Sequence, residues 1–145
     1  MAERLARLLP ALWAGLLLAI AVVAAPAAFA ALPSADAGRV VGRMFIQAAW
    51  ASLALAAVLL LLLRTRGGSV RAGLTPLLWG TVACTVLGYF AVQPLMAAAR
   101  AGQGALSFGQ LHLISTVFYG LKTLLVLGLA WRTAAPDAFS RRPSS

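Results

Sequence analysis

The chain alternates long apolar stretches with short polar connections. Three stretches carry no charged residue and a fourth carries one; they cover residues 8–35, 44–63, 72–99 and 101–131. Each holds the roughly 20 residues that a membrane-spanning helix requires. Strands are disfavoured because runs such as LALAAVLLLLLR lack the alternation of a membrane β-strand. The pattern therefore predicts four helices over about residues 8–32, 37–63, 74–99 and 108–131.

These helices predict an all-α fold: an integral membrane four-helix bundle with up-down topology over residues 1–132. Basic residues at the helix ends divide unequally between the two sides. One side holds Arg4, Arg7, Arg64, Arg66, Arg71, Arg132, Arg141 and Arg142, and the other holds Arg39, Arg43 and Arg100. We therefore expect a multi-pass protein of the inner membrane with both termini in the cytoplasm. Residues 133–145 are expected to form a disordered basic cytoplasmic tail.

The first apolar segment has a second interpretation as a secretory signal peptide. Arg4 and Arg7 precede the apolar run, and residues 28–30 read Ala-Phe-Ala, the form of a cleavage site. The run is longer than the roughly 7–15 residues of a signal-peptide core. We therefore expect an uncleaved helix, and the mass of the mature protein distinguishes the two interpretations.

Composition supports a membrane protein and removes several function classes. Of the 145 residues, 62% are hydrophobic and 10% are charged, whereas a soluble domain has about a quarter of its residues charged. The net charge of +9 comes largely from arginines at helix ends, and no basic surface with interleaved aromatic residues predicts nucleic-acid binding. Cys84 is the only cysteine, so no Cys/His metal spacing exists. Neither a nucleotide-binding motif nor a catalytic triad is present, and we expect neither an enzyme nor a bound cofactor.

The fourth helix carries the clearest candidate site. His112, Ser115, Tyr119 and Lys122 follow 3, 4, 3 spacing, which places them on one helix face. The rest of the circumference is mostly apolar, so this polar face must look into the bundle or into a wet cavity. At about 1.5 Å per residue, Lys122 lies roughly 14 Å from Trp131, close to the centre of the bilayer.

Lys122 has no predicted acidic partner inside the membrane. The three acids of the chain, Glu3, Asp36 and Asp137, lie at predicted membrane edges. A charge at the bilayer centre costs about 2.5–3.5 kcal/mol on insertion scales. Three outcomes are open: Lys122 is uncharged, it points to water and backbone carbonyls, or it holds an anionic ligand or lipid headgroup.

Further polar residues are predicted at the same end of the bundle as His112. Arg39, Arg43 and Gln47 belong to one stripe on the second helix, and Gln93 belongs to a stripe on the third. Together they predict an outer vestibule that favours anions or polar headgroups. The alternative is simple anchoring of helix ends at the membrane interface. A single histidine is a weak haem or metal signal, so no metal site is expected.

Small residues and prolines mark special positions in the helices. A GxxxG motif at residues 38–42 and a Gly-xxx-Ala motif at residues 15–19 are candidates for close helix contact, and the second lies deeper in the membrane. Pro26 and Pro94 lie near the ends of the first and third helices. Each is expected to kink, loosen or end its helix.

Four short motifs resemble the DUF-4149 family of small membrane proteins, shared with transmembrane protein 205-like proteins. They are APAAF closing the first helix, RMF entering the second, VQPLMAAAR closing the third and FGQLHLIS opening the fourth. The last is the most specific, because it pairs Phe108 with His112 and Ser115. The resemblance covers about residues 8–132 and implies a four-helix membrane protein with an uncleaved first helix. It implies no established reaction, and Lys122 matches no family motif.

We expect a small-molecule or lipid-binding membrane module, related to transport, whose site is the polar face of the fourth helix and the vestibule. The first alternative is an accessory or assembly subunit of a larger membrane complex, with the polar face as an interhelical hydrogen-bond seam. A haem or copper membrane protein is the second alternative, which an absorbance spectrum tests. The expected partners are membrane lipid and either a second copy of the chain or a larger membrane complex.

Overall fold

The computed structural model describes residues 2–64 and 68–135, and these residues form helices without any strand. The α-helices are α1 (Ala2–Leu18), α2 (Ala25–Ala31), α3 (Ser34–Arg64), α4 (Gly68–Thr85), α5 (Val92–Arg100) and α6 (Phe108–Ala134). Two π-helical segments, Ala19–Ala24 and Val86–Ala91, join α1 to α2 and α4 to α5. The predicted all-α fold is confirmed.

Four continuous helical stretches are long and apolar enough to cross a membrane. They are span 1 (Glu3–Ala31), span 2 (Ser34–Arg64), span 3 (Ala72–Arg100) and span 4 (Phe108–Ala134). Each buries at most 33% of its most apolar window inside the bundle. Large side chains such as Leu12, Val22 and Leu124 point outwards and are 66–69% exposed. Lipid tails are as apolar as leucine, so a membrane is the solvent that such a surface fits.

The helix ends differ from the predicted ends by a few residues. α4 begins at Gly68, earlier than the predicted start at about residue 74, because glycine is well tolerated at the start of a helix. α6 runs on to Ala134, so Thr133 and Ala134 are helical rather than part of the predicted tail. Residues 136–145 of that tail lie outside the described residues.

Each π-helical segment directly precedes a short helix with a proline in its first turn. These prolines are Pro26 in α2 and Pro94 in α5. At the first of them, the N–H of Ala25 donates to the carbonyl of Ile20, five residues back. This is the π-helical step. Since proline has no N–H to donate, such a local adjustment redistributes the backbone bonds around it. Both helices therefore continue past their prolines instead of ending there.

One half of the bundle, which we call the closed half, has a continuous apolar core. This core joins the start of span 1, the end of span 2, the start of span 3 and the end of span 4. Its residues are Ala6, Trp13, Ala14, Leu17, Ala56, Leu59, Leu63, Leu74, Leu78, Val126 and Leu129. Trp13 is fully buried, and its indole N–H donates to the Ser52 hydroxyl at 3.1 Å. Its polar atom is therefore satisfied within the core.

The other half, which we call the open half, contains α2, α5 and the first turns of α3 and α6. Here α2 packs on α3, and α5 packs on α6. A small core of Val92, Met96 and Leu111 lies within the second pair. A cavity lies between the two pairs and receives residues from all four spans.

The two small-residue motifs do not bring helices together. A Cβ placed on Gly15, Gly38 or Gly42 would meet no atom within 4 Å. Gly38 and Gly42 line the cavity, and Gly15 is exposed. The expected contacts at these motifs are therefore wrong for this bundle. The close approach occurs at Gly88, where a Cβ would overlap the side chain of Phe118.

Candidate functional site

The cavity in the open half has a volume of about 740 Å³, within the range of small-molecule binding sites. Small residues create the space, because they leave room where larger side chains would fill the bundle. The small residues that line it are Ala21, Ala25, Ala35, Gly38, Gly42, Ala49 and Gly88. Aromatic side chains form much of the remaining wall: Phe29, Phe45, Tyr89, Phe108 and Tyr119.

The polar face predicted on span 4 faces this cavity. His112, Ser115, Tyr119 and Lys122 all line it. His112 is exposed near the start of the helix, whereas Lys122 is buried with 4% of its surface accessible. The face therefore runs from the mouth of the cavity, at His112, to its floor, at Lys122.

Lys122 lies on the cavity floor without a carboxylate partner among the described residues. The two carboxylates of the described residues, Glu3 and Asp36, form ion pairs with Arg7 and Arg39. The Lys122 ammonium lies over the ring of Tyr119, 4.7 Å from its centroid. A cation–π contact of this kind contributes about 0.5–2 kcal/mol. It offsets only part of the cost of burying a charge.

Two hydroxyls of the same face bind backbone carbonyls of neighbouring spans. The Ser115 hydroxyl donates to the carbonyl of Gly88 at 2.8 Å, inside the second π-helical segment. The Tyr119 hydroxyl donates to the carbonyl of Leu17 at 2.9 Å, just before the first. Hydroxyls of adjacent helices commonly satisfy backbone groups where a membrane helix is irregular. Ser115 and Tyr119 thus hold span 4 against spans 3 and 1, the contacts expected if the polar face forms an interhelical hydrogen-bond seam.

Removing the Tyr119 hydroxyl tests its hydrogen bond to the Leu17 carbonyl. We expect Tyr119→Phe to destabilise the bundle by about 1 kcal/mol, since it removes one buried hydrogen bond. The ring remains in place under Lys122. Tyr89→Phe is the matched control, because Tyr89 is half-buried beside the same cavity and its hydroxyl binds no described residue. Equal thermal unfolding temperatures for both variants would contradict the assignment.

The mouth of the cavity brings together basic and aromatic residues of three spans. Arg39 pairs with Asp36 in the first turn of α3. The Arg100 guanidinium lies over the Phe108 ring, 4.5 Å from its centroid. The ring of His112 stacks on Phe108 with 6.0 Å between centroids and 18° between planes.

Two predicted vestibule residues lie outside the cavity, and two lie on it. Arg39 and the half-buried Gln93 line the mouth, whereas the exposed Arg43 and Gln47 do not reach the wall. The cavity-facing row of α3 passes through residues 38, 41, 42, 45 and 49. Arg43 and Gln47 follow this row by one or two residues, and each residue turns the helix by about 100°. They therefore point away from the cavity.

Several cavity residues were not among the predicted site residues. They are Phe45, Cys84, Thr85, Tyr89, Arg100 and Phe108. The polar stripe on span 3 carries a signal for two of them, since Thr85 and Tyr89 precede Gln93 by multiples of four. Nothing in the pattern of span 2 separates Phe45 from lipid-facing aromatics. Within residues 2–64 and 68–135, no three His, Cys, Asp or Glu side chains are grouped to hold a metal ion.

Comparison with protein families finds a match over more than half of the chain. The model of the family described as "Domain of unknown function (DUF4149)" matches residues 8–105. The match takes in the first three spans and ends before span 4, so the FGQLHLIS motif lies beyond it. No curated protein and no solved structure matches the chain.

Proposed function

We propose that this chain, which belongs to the family described as Domain of unknown function (DUF4149), binds an anionic amphipathic molecule in its cavity, within the bilayer. The molecule is a small organic anion or a lipid with an acidic group. Lys122 holds the anionic group, and the apolar walls hold the rest. In this proposal the protein binds or transports the molecule and is not an enzyme.

The proposed topology is that of a multi-pass inner-membrane protein whose spans cross in alternating directions. The closed-half core supports this, because it contains the starts of spans 1 and 3 and the ends of spans 2 and 4. The basic residues at that end support a cytoplasmic closed half: Arg4, Arg7, Arg64 and Arg132. The cavity then opens on the opposite side of the membrane and both termini are cytoplasmic.

The observation that carries the proposal is the position of Lys122. Its side chain is 4% exposed at the floor of an apolar cavity, and no carboxylate of the described residues pairs with it. An uncompensated charge in such surroundings is costly. A bound anion offsets that cost and gains a charge-assisted hydrogen bond.

The shape and composition of the cavity select an amphipathic ligand. Lys122 lies ten residues beyond His112, or roughly 15 Å along the helix. The wall between them is mostly small and aromatic, which suits an alkyl chain or an apolar ring. No carboxylate lines the cavity among the described residues, so nothing there repels an anion.

Laurate is a suitable probe because it combines a carboxylate with an alkyl chain of comparable length. The full chain in lipid nanodiscs is titrated with laurate and with methyl laurate, which has the same chain and no charge. We expect laurate to bind at least about tenfold more tightly, the value of one charge-assisted hydrogen bond. Equal affinities for the two probes would overturn the proposal.

Filling the cavity tests the location of the site. A side chain added at Gly42 projects into open space in the cavity. We therefore expect Gly42→Leu to weaken laurate binding by about tenfold or more. The unfolding temperature should stay the same or rise, since leucine favours helix over glycine by almost 1 kcal/mol.

Gly15→Leu is the matched control for this variant. Gly15 also has open space around it, but it lies on the outside of span 1, away from the cavity. This variant should bind laurate like the unmodified protein. Normal laurate binding by Gly42→Leu, or equal losses in both variants, would place the ligand elsewhere.

A second candidate function is an accessory subunit of a membrane complex. The hydrogen bonds of Ser115 and Tyr119 to backbone carbonyls favour it, because they use part of the polar face to hold the bundle together. In that case the chain co-purifies with a larger complex after mild solubilisation. Laurate and methyl laurate then bind alike.

A further inference from the structure

The cavity mouth holds a second group of basic side chains that is separate from Lys122. Arg100 ends α5, and His112 lies in the second turn of α6. Phe108, the first residue of α6, contacts both side chains, with the Arg100 guanidinium at 4.5 Å and the His112 ring at 6.0 Å from its ring centroid. One aromatic ring thus contacts both a guanidinium and an imidazole.

This arrangement leaves hydrogen-bond donors free to face a ligand. A guanidinium that lies over an aromatic ring still has N–H groups available for bidentate bonds to an oxyanion. The described carboxylates pair with Arg7 and Arg39, so neither neutralises Arg100. Both Arg100 and His112 are exposed and lie on the cavity lining, where a ligand can reach them.

The position of the group along the bundle indicates which oxyanion it meets. Arg100 is the last residue of span 3, and Phe108 is the first residue of span 4. The ends of membrane spans lie at the level of the lipid headgroups, outside the roughly 30 Å hydrocarbon core. Phosphate is the anionic group that membranes present at this level, and arginine recognises it bidentately.

We propose that Arg100 and His112, held by Phe108, bind a phosphate group at the mouth of the cavity. The phosphate belongs either to a lipid headgroup or to a free phosphate from the aqueous side. Arg100 supplies paired N–H donors and His112 supplies one ring donor. The site does not depend on the ligand proposed for Lys122, because it uses different residues at the other end of the cavity.

Calorimetric titration of the full chain in a phosphate-free glycoside detergent tests this site. The two probes are inorganic phosphate and a short-chain phosphatidic acid. Saturable binding of the lipid alone identifies a headgroup site, and binding of both probes with similar affinity identifies a site for free phosphate. Either result supports the proposal, whereas saturable binding of neither probe overturns it.

Three variants give the test its specificity. We expect Arg100→Gln and His112→Gln each to weaken phosphate binding, by about tenfold for the arginine. Arg43→Gln is the matched control, because Arg43 is exposed near the start of span 2, on the side of the cavity mouth, but does not line the cavity. It should change the affinity less than about twofold, within the range of surface electrostatics. Equal losses of affinity in Arg43→Gln and Arg100→Gln would show that phosphate responds only to the overall positive charge of the protein, which would overturn the site.

The laurate titration separates this inference from the proposed function. Lys122→Met should keep phosphate binding, and Arg100→Gln should keep laurate binding. Loss of phosphate binding in Lys122→Met would mean that the two groups form one site, which contradicts the separate mouth site.

Discussion

Replacing Gly88 with alanine is expected to destabilise the bundle by about 2 kcal/mol. Gly88 is buried in the second π-helical segment, and a Cβ there would overlap the Cβ of Phe118 on span 4. Overpacking of this kind costs about 3 kcal/mol, whereas alanine gains about 1 kcal/mol over glycine in helix propensity. The steric cost is the larger of the two. Thermal unfolding in detergent, followed by circular dichroism, measures the difference.

The contact at Gly88 also positions the candidate site, so its loss has a second consequence. The Gly88 carbonyl accepts the Ser115 hydroxyl, and moving spans 3 and 4 apart lengthens that bond. Gly120→Ala is the matched control, since a Cβ on Gly120 meets no atom within 4 Å. It should leave the unfolding temperature unchanged or raised. Equal stability of Gly88→Ala and Gly120→Ala would show that spans 3 and 4 do not meet at Gly88.

Replacing Lys122 with methionine is expected to weaken laurate binding strongly without harm to the fold. Methionine has a similar length and no charge, so it fills the same space beside Tyr119. Losing one charged hydrogen bond and the buried cation weakens laurate binding by roughly 100-fold. Stability should match or exceed that of the unmodified protein, because an unpaired buried charge is replaced by an apolar side chain.

Arg43→Met is the control for this second prediction. It removes the same charge from the chain, but from an exposed side chain off the cavity. Laurate affinity should stay within about twofold of the unmodified protein. A strong loss of stability in Lys122→Met would contradict the account, since it would assign Lys122 a structural role.

The four spans could be predicted from the sequence because hydrocarbon thickness sets the length of an apolar run. The polar face of span 4 could also be predicted, since helical spacing alone aligns His112, Ser115, Tyr119 and Lys122. These inferences need only the geometry of a single helix. The ends of helices were less accurate because Gly68 and Thr133 are compatible with helix and with turn.

Features that depend on how two helices pack together could not be predicted from the sequence pattern of a single helix. The sequence gives the prolines at positions 26 and 94, but not the π-helical segments that precede them. It gives GxxxG at 38–42, but not that these glycines face a cavity instead of a helix. Arg43 and Gln47 share a stripe with Arg39. With α3 rotated as it is against its neighbours, only Arg39 of the three lines the cavity. Relative rotation of packed helices is a property of the whole bundle.

The most direct test uses the fact that Lys122 is the only lysine in the chain. Labelling lysine with ¹⁵N at Nζ therefore marks one site, and laurate carries ¹³C at its carboxyl carbon. Solid-state NMR in lipid bilayers measures the dipolar coupling between the two nuclei. The account predicts a coupling that corresponds to about 4 Å or less, the length of an ion pair. Saturating laurate without measurable coupling to Lys122 would contradict it.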